Sequence, residues 1–482
     1  MDPRQRHIRI VHLGIGAFCR AHQAVYTEAC GDWASCGVTQ RSPRVVAQLE
    51  PQDGLYTLLM RDGTALRPQV IGSIREVRYA GADPAAVVAR IADPAVEIVS
   101  LTVTEKGYRH DPATGMLHLQ DPEIAADLAG QPPRTVIGQL VAGLAARAAA
   151  AVPMTVLCCD NLPANGATVR GLVLAYARGY AARHAAASRL PDWIAEHVAF
   201  PATMVDRIVP AATDADRTEA ARLIGLHDLG TTVAEPFSQW VIEDTFAGSR
   251  PAWENAGAEL VRDVAPYEKV KLRMLNGAHS ALAYLGGLAG HEFIATAVGD
   301  DALAACAHQL MTADAAPTLD PPAGLDLHGY AADVLRRFGN SALRHRCVQV
   351  AMDGSQKLPQ RLLGTVADRL SAGASPGWAA LAVAAWMRHV WTGRADGGRP
   401  FPVDDPLAGL FQSRVAAAGV SADDTGAASA SPVAGALLGV RAVFGELADS
   451  APFRDLLAEH LTRLARDGAR RTAAALVSGA SG

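Results

Sequence analysis

Several large classes of protein are excluded by what this sequence lacks. Seven cysteines among 482 residues are few, odd in number and scattered, and no CxxC pair occurs. Cys158 and Cys159 are adjacent, too close for ordinary paired zinc ligation or an unstrained disulfide. That pattern excludes a disulfide-stapled secreted scaffold and fits reduced thiols in the cytoplasm. No metal site is expected, because no cysteine/histidine ligand spacing is present. Long apolar runs are missing too: the longest, Trp378 to Met387, covers about ten residues where a membrane span needs roughly 20. The start, MDPRQRHIRIVHLG, is basic but has neither a long apolar stretch nor a small-residue cleavage site, so it does not read as a signal peptide. Charge of one sign is also scarce. Against 44 Lys and Arg stand 49 Asp and Glu, a formal net charge of -5, with no long basic run. Neither nucleic acid nor an anionic membrane is expected as the main partner.

What is present is globular: half of the residues are hydrophobic and 19% are charged, enough to build cores in more than one domain. The first half alternates β-branched runs with Ala-rich stretches. Ile8 to Leu13, Glu97 to Thr104 and Met154 to Cys159 read as strands. Arg20 to Cys30, Thr135 to Ala150 and Thr168 to His184 read as helices. This alternation predicts an α/β domain with a mostly parallel sheet. After about residue 260 strand-like runs fade, and 268–288, 300–312, 327–338, 375–392 and 453–477 read as helices. Arg394 to Pro402 reads as a loop, and Ser421 to Pro432, rich in Ser, Ala and Gly, as a mobile surface loop. The expected organisation is a dinucleotide-binding domain over 1–265 and a mainly α-helical substrate domain over 266–482.

The first strand runs into Gly14-Ile15-Gly16 and then a helix. Glycine serves where a backbone must turn tightly or approach a pyrophosphate, and the following helix N-terminus offers free N–H groups. The third glycine of the usual GxGxxG is absent, and Cys19 stands in its place. Arg20 and His22 either face phosphate or are solvated. Near the end of the second strand, Thr39-Gln40-Arg41-Ser42-Pro43-Arg44 holds no acid to bind a ribose 2′-hydroxyl. Arg41, Ser42 and Arg44 either hold a 2′-phosphate or form an ordinary basic loop. The cofactor read here is NAD, with NADP left open.

The densest polar cluster on an apolar background is KLRMLNGAHSALAYLG, 271–286. At 100° per residue, Lys271, Glu268, His279 and Asn276 fall at roughly 0°, 60°, 80° and 140°, within one half of a helix. The helix opens the second domain and can lie along an interdomain cleft. These residue types suit oxidation of a secondary alcohol. A lysine with a lowered pKa takes the hydroxyl proton, an amide donates to the oxygen as it gains charge, and a histidine fixes that oxygen or shuttles the proton. The bland reading of each residue is a solvated amphipathic helix with one buried histidine; the four together favour chemistry.

The Lys-x4-Asn-x2-His pattern of that segment closely resembles the signature of the polyol-specific long-chain dehydrogenases, the mannitol dehydrogenase family. The resemblance covers nearly the whole chain: IVHLGIGAFCRAHQAVYTE (10–28), SLTVTEKGY (100–108), CDNLPANG (159–166), FPATMVDRIVP (200–210), EPFSQWVIED (235–244) and AMDGSQKLPQR (351–361). It implies a Rossmann-type domain, a helical substrate domain, no zinc, a monomer, and Lys271 as general base. It also implies Asn161 and Asn276 on the reacting oxygen, His279 as the positioning partner of that oxygen, Asp206 and Lys357 as substrate-hydroxyl contacts, and Glu268 on a proton path. Gly14, Gly16, Phe18, Arg20, Arg41, Thr104 and Glu105 are the expected cofactor contacts. Mannitol dehydrogenases place an arginine upstream of DGSQK, where this chain has Gln349. The string LRHRCVQVAMDGSQKLPQR, with TMVDRIVPAAT and WVIED, looks most like the fructuronate reductase (mannonate oxidoreductase) branch. Arg344 and Arg346 would then meet a sugar-acid carboxylate, a match for bidentate guanidinium; otherwise they are surface residues.

The expected activity is NAD(P)-dependent interconversion of D-mannonate and D-fructuronate, with mannitol or arabinitol oxidation as the alternative. A non-catalytic dinucleotide or sugar sensor, which need not keep the base, is the reading from another class.

Overall fold

The computed structural model describes residues 5–111, 115–421 and 423–480. It divides into two compact units, Met1–Ala265 and Pro266–Gly482. In the first unit six strands form one sheet: β1 (His7–Leu13), β2 (Trp33–Thr39), β3 (Ile74–Tyr79), β4 (Ile98–Leu101), β5 (Met154–Cys158) and β6 (Val198–Ala199). Their spatial order is β3-β2-β1-β4-β5-β6, and every neighbouring pair is parallel. This is the Rossmann order, and the direction of winding reverses between β1 and β4, where ligands bind beyond the strand C-termini. β4 and β5 are buried at every residue, as a parallel sheet covered on both faces requires. On one face Val11, Val99 and Val156 pack with Val87, Ile91, Leu140 and Val173 of the crossover helices. On the other, Ile10, Ile98 and Leu157 meet Tyr26, Trp240 and Trp253. Buried Arg147 donates to the carbonyls of Ile91, Asp93 and Pro153, satisfying chain ends that would otherwise lose water.

Two departures from the sequence reading bear on the site. β4 ends at Leu101, three residues short of Thr104, whose φ of +68° no strand can continue. The helix expected from Arg20 begins at Ala17 and breaks at His22 (φ -129°, ψ -89°), resuming over Gln23–Ala29. Two three-stranded sheets were not anticipated. One is the hairpin Tyr56–Asp62 and Ala65–Ile71 joined by Thr232–Ala234; the other is Thr203–Asp206, Gln239–Glu243 and Glu259–Val261.

The described part of the second unit is helical. Its centre is the pair Gly277–Leu288 and Gly377–Thr392, which pack on each other, with Ala451–Asp467 against the latter. The apolar run 378–387 is therefore a core helix. Among the described residues no single helix is long and apolar enough to cross a membrane. The expected helix 453–477 is two, Ala451–Asp467 and Ala469–Ala480, broken at Gly468 (φ +77°). The loop expected over Ser421 to Pro432 is shorter. A tight turn at Ala427–Ser429 leads into the helix Ala430–Leu438, with Pro432 in the first turn, where no amide donor is needed. Ser429 Oγ donates to Asp424 at 2.5 Å.

Three buried histidines carry a pH signature. Burial pushes His12 and His389 down to about 3 and His460 to about 4. The unfolded chain takes up these protons near pH 6.5 and the folded chain does so far lower. Stability is therefore full above pH 6.5 and falls as pH drops towards 4. Each histidine costs about 2 kcal/mol at pH 5. The melting temperature should fall steadily between pH 7 and pH 5 in calorimetry, and His460→Gln should flatten that slope; a flat wild-type profile would contradict this accounting.

Candidate active site

In the first unit Gly14, Gly16, Thr104, Glu105 and Asn161 follow the C-terminal ends of β1, β4 and β5. Gly14 holds φ +99°, and a Cβ there would lie 2.1 Å from the Thr102 carbonyl oxygen, so only glycine fits. The turn is fastened from below. Thr102 Oγ1 donates to the Gly14 carbonyl at 2.8 Å and also meets His12 Nε2 at 2.8 Å. His12 Nδ1 meets Ser100 Oγ at 2.8 Å. Gly16 differs: a Cβ there would find nothing nearer than 3.8 Å. That open side, at the head of the helix Ala17–Ala21, is room for a diphosphate to approach the backbone, so the turn fits a dinucleotide.

The residues after the turn divide. Phe18, half-buried, stacks on His22 at 5.1 Å. Cys19, in the place of the third glycine, is buried in the core. Arg20 is buried as well, and its guanidinium donates to the carbonyls of Gly230 (2.5 Å) and Gly16 (3.3 Å). It is a strut beneath the turn, neither solvated nor turned outward. Arg41 is exposed and lines a cavity of about 520 Å³ with Gln40, Tyr79, Lys106, Arg109 and Arg134. The cavity's acid, Glu123, is engaged by Arg109, so the lining is mainly basic.

Asp160 holds the loop after β4, a role the sequence reading missed. It accepts from Val103 N (2.8 Å), Thr104 N (3.1 Å) and Tyr108 Oη (2.7 Å). Burial pushes its carboxyl up while these bonds hold it down. The clamp fixes exposed Thr104 and half-buried Glu105, and the next residue is the exposed Asn161. The CDN triplet directly after β5 was the available signal. Asp206 is 4% exposed at the end of Thr203–Asp206, opposite Gln239.

In the second unit the signature segment is not a regular helix. Ala265–Val270 is α-helical, Lys271–Asn276 is a π-helical stretch, and Gly277–Leu288 is α-helical again. A π-turn bonds residue i to i+5 and is frequent at functional sites. It brings Lys271 and Asn276, five apart, nearly one above the other, where a regular helix would separate them by about 140°. Both are buried, each 7% exposed. Glu268, one turn earlier, is half-buried. The distortion is matched across the contact by a second π-stretch, Pro359–Leu363, where proline removes a ladder donor. Between them Gly277 approaches so closely that a Cβ would lie 2.9 Å from the Arg361 carbonyl oxygen. Arg273 anchors the segment outside, donating to Asp368 (2.5 Å) and Thr318 (2.6 Å).

His279 stacks on Phe338 (4.6 Å) and meets His345 edge-on (4.9 Å). Burial, followed by the fields of His345, Arg361, Lys357 and Arg337, drives its pKa well below the usual value. The imidazole is therefore neutral, with one donor and one acceptor nitrogen. His279 Nε2 and His345 Nδ1 are buried without a hydrogen-bond partner. Lys357 Nζ donates to Met352 O at 2.5 Å, and Arg361 donates to Ser280 Oγ at 3.1 Å. Arg344 and Arg346 are not brought to this cluster. Both are exposed; Arg344 lies over Phe293 at 5.2 Å, and Arg346 pairs with Glu292 at 3.3 Å. The residue between them, His345, is the one turned inward. It, Arg337 and Arg361 were missed by the sequence reading, although the RHR and KLPQR strings carried two of them.

The chain matches the mannitol dehydrogenase Rossmann domain over residues 8–255 and the mannitol dehydrogenase C-terminal domain over 263–465. It is 43% identical over 476 residues to the uncharacterized oxidoreductase YdfI of Escherichia coli (strain K12), spanning 97% of this chain and 94% of that protein. It is 42% identical over 487 residues to the D-mannonate oxidoreductase of the same strain, spanning 98% and 97%. Its fold is similar to Pseudomonas fluorescens mannitol 2-dehydrogenase, solved as a ternary complex with NAD and D-mannitol, with TM-score 0.88, 36% identity and coverage of 99% and 96%. The chain belongs to the mannitol dehydrogenase family, oxidoreductases that act on CH–OH groups.

The glycine contacts make a paired prediction. Gly277→Ala must push against the Arg361 carbonyl and should destabilise by about 1–3 kcal/mol. Gly435→Ala, in a helix with nothing within 4 Å, should stabilise by about 0.5–1 kcal/mol. Denaturant titration of both variants checks the contrast; a neutral Gly277→Ala would mean the close approach is not needed.

Proposed function

We propose that this protein interconverts D-mannonate and D-fructuronate with NAD, using Lys271 as general base and no metal. The observation that carries the chemistry is the π-turn, which sets a buried lysine and a buried amide on nearly one face, with a neutral histidine two turns on. The substrate class is supported by 42% identity to a D-mannonate oxidoreductase across 98% of the chain. A bound nicotinamide would supply the hydride acceptor. The protein's own part is the proton and the charge. Lys271 Nζ, as the free amine, takes the proton of the substrate hydroxyl, and Glu268 passes it towards solvent. Asn276 donates its amide to the oxygen as charge grows there. His279 Nε2, buried with no protein partner, orients that same oxygen.

In the first unit, Gly14 and Gly16 are assigned to the diphosphate, Phe18, Thr104 and Glu105 to the rest of the cofactor, and Asn161 and Asp206 to the substrate. Arg20 supports the turn from inside. The basic cavity at Arg41 suits the adenosine end and leaves room for a 2′-phosphate, so NADP belongs in any assay. A neutral polyol is the second reading, favoured by the resemblance to a mannitol 2-dehydrogenase holding D-mannitol.

Lys271→Ala should lower kcat on D-mannonate by about 10²–10⁴-fold while NADH binding, followed by its fluorescence, persists. Wild-type turnover in that variant would remove lysine from the mechanism. Gly14→Ala should do the opposite and abolish NADH binding, since the Thr102 carbonyl occupies the space its Cβ needs.

A further inference from the structure

A substrate with a carboxylate at one end needs a cation inside the site to meet it, because burying an unpaired carboxylate is costly. Arg344 and Arg346 are poorly placed for that, being exposed and engaged by Phe293 and Glu292. The cluster around His279 is different in kind. Within the second unit it gathers His345, Lys357, Arg361 and Arg337, the last 5% exposed. The fields that lower the pKa of His279 and His345 come from basic groups. The two imidazoles lie edge to face at 4.9 Å, and each leaves one buried ring nitrogen without a protein partner. Arg361 is held beside them by its bond to Ser280 Oγ, adjacent to His279 in sequence, and by the contact of its backbone with Gly277. Buried polar atoms without partners, beside several basic groups, describe a place for an anion that also carries hydroxyl groups.

We propose that Arg361 binds the carboxylate of an open-chain sugar acid and that His345, through Nδ1, hydrogen-bonds the hydroxyl beside it. This rests on the sugar-acid reading above and moves the carboxylate contact from Arg344 and Arg346 to Arg361. A planar guanidinium matches a carboxylate bidentately. Arg361 then separates sugar acids from neutral polyols, while His345 holds a hydroxyl that both carry and Lys271, Asn276 and His279 do the chemistry common to both substrates.

The test measures kcat and KM for D-mannonate and D-mannitol in the wild type and in Arg361→Ala, Arg361→Lys, His345→Ala and Arg346→Ala, with NADH binding as the check on folding. Arg361→Ala should raise KM for D-mannonate, so that kcat/KM falls about 100-fold more than for D-mannitol. Arg361→Lys should recover part of the loss. His345→Ala should lower kcat/KM by about 10-fold on both substrates, and Arg346→Ala should leave D-mannonate turnover within about twofold. If Arg361→Ala fails to bind NADH, the same ratio is read from Arg361→Lys, which keeps the charge but loses the fork and should still disfavour D-mannonate. Equal losses on both substrates in Arg361→Ala, or loss of D-mannonate turnover in Arg346→Ala alone, would overturn the assignment while leaving the sugar-acid reading intact. A wild type that oxidises D-mannitol and ignores D-mannonate would overturn both.

Discussion

The close approach of Gly277 to the carbonyl of Arg361 ties the parts of the helical unit together. It lies where two π-helical stretches, Lys271–Asn276 and Pro359–Leu363, pack on each other. One stretch sets the proposed base and amide on nearly one face; the other carries the proposed carboxylate ligand. A side chain at 277 would force them apart, and with them the relation between the proton acceptor and the anion subsite. Catalysis of this kind depends on groups already in place when charge develops. A rigid backbone contact supplies that better than a flexible side-chain pair would.

The first unit solves a similar problem with different means. Its sheet reverses winding between β1 and β4, and the turn at Gly14 fills that point. Glycine is forced there both by φ and by the Thr102 carbonyl. Below it, His12, Ser100 and Thr102 form a neutral hydrogen-bonded chain across the tips of β1 and β4. Arg20 and Asp160 brace the turn and the neighbouring loop from inside. The outward residues, Gly16 and Thr104, are thus presented by a framework that is itself buried and satisfied.

Much of this was legible in sequence. The strand–glycine–helix order at 8–30 and the helical texture after 260 identify the architecture, because they depend on local periodicity and residue type, and the KLRMLNGAH segment points to the family and to the proposed site. The π-turn was not legible. It packs against Pro359–Leu363, nearly ninety residues away in sequence, and it undoes the angle expected for a regular helix. The turn-forming Asp62-Gly63 was a readable hairpin signal that the alternation of helices and strands obscured. Arg344 and Arg346 drew attention as charges near DGSQK, yet φ +46° at Arg344 and the pairing of Arg346 with Glu292 turn both outward. His345 between them could be placed only by the fold. Arg20 shows the converse: a charged residue after a glycine turn looked available for phosphate and proved to be part of the core.

The most direct test of the account is a cofactor-reduction assay of the wild-type protein in the presence of a chelator, with D-mannonate, D-mannitol, D-arabinitol and D-altronate, each with NAD and with NADP. The account predicts reduction of NAD with D-mannonate, undiminished by the chelator. No reduction with any of the four substrates, or reduction that the chelator abolishes and zinc restores, would contradict it.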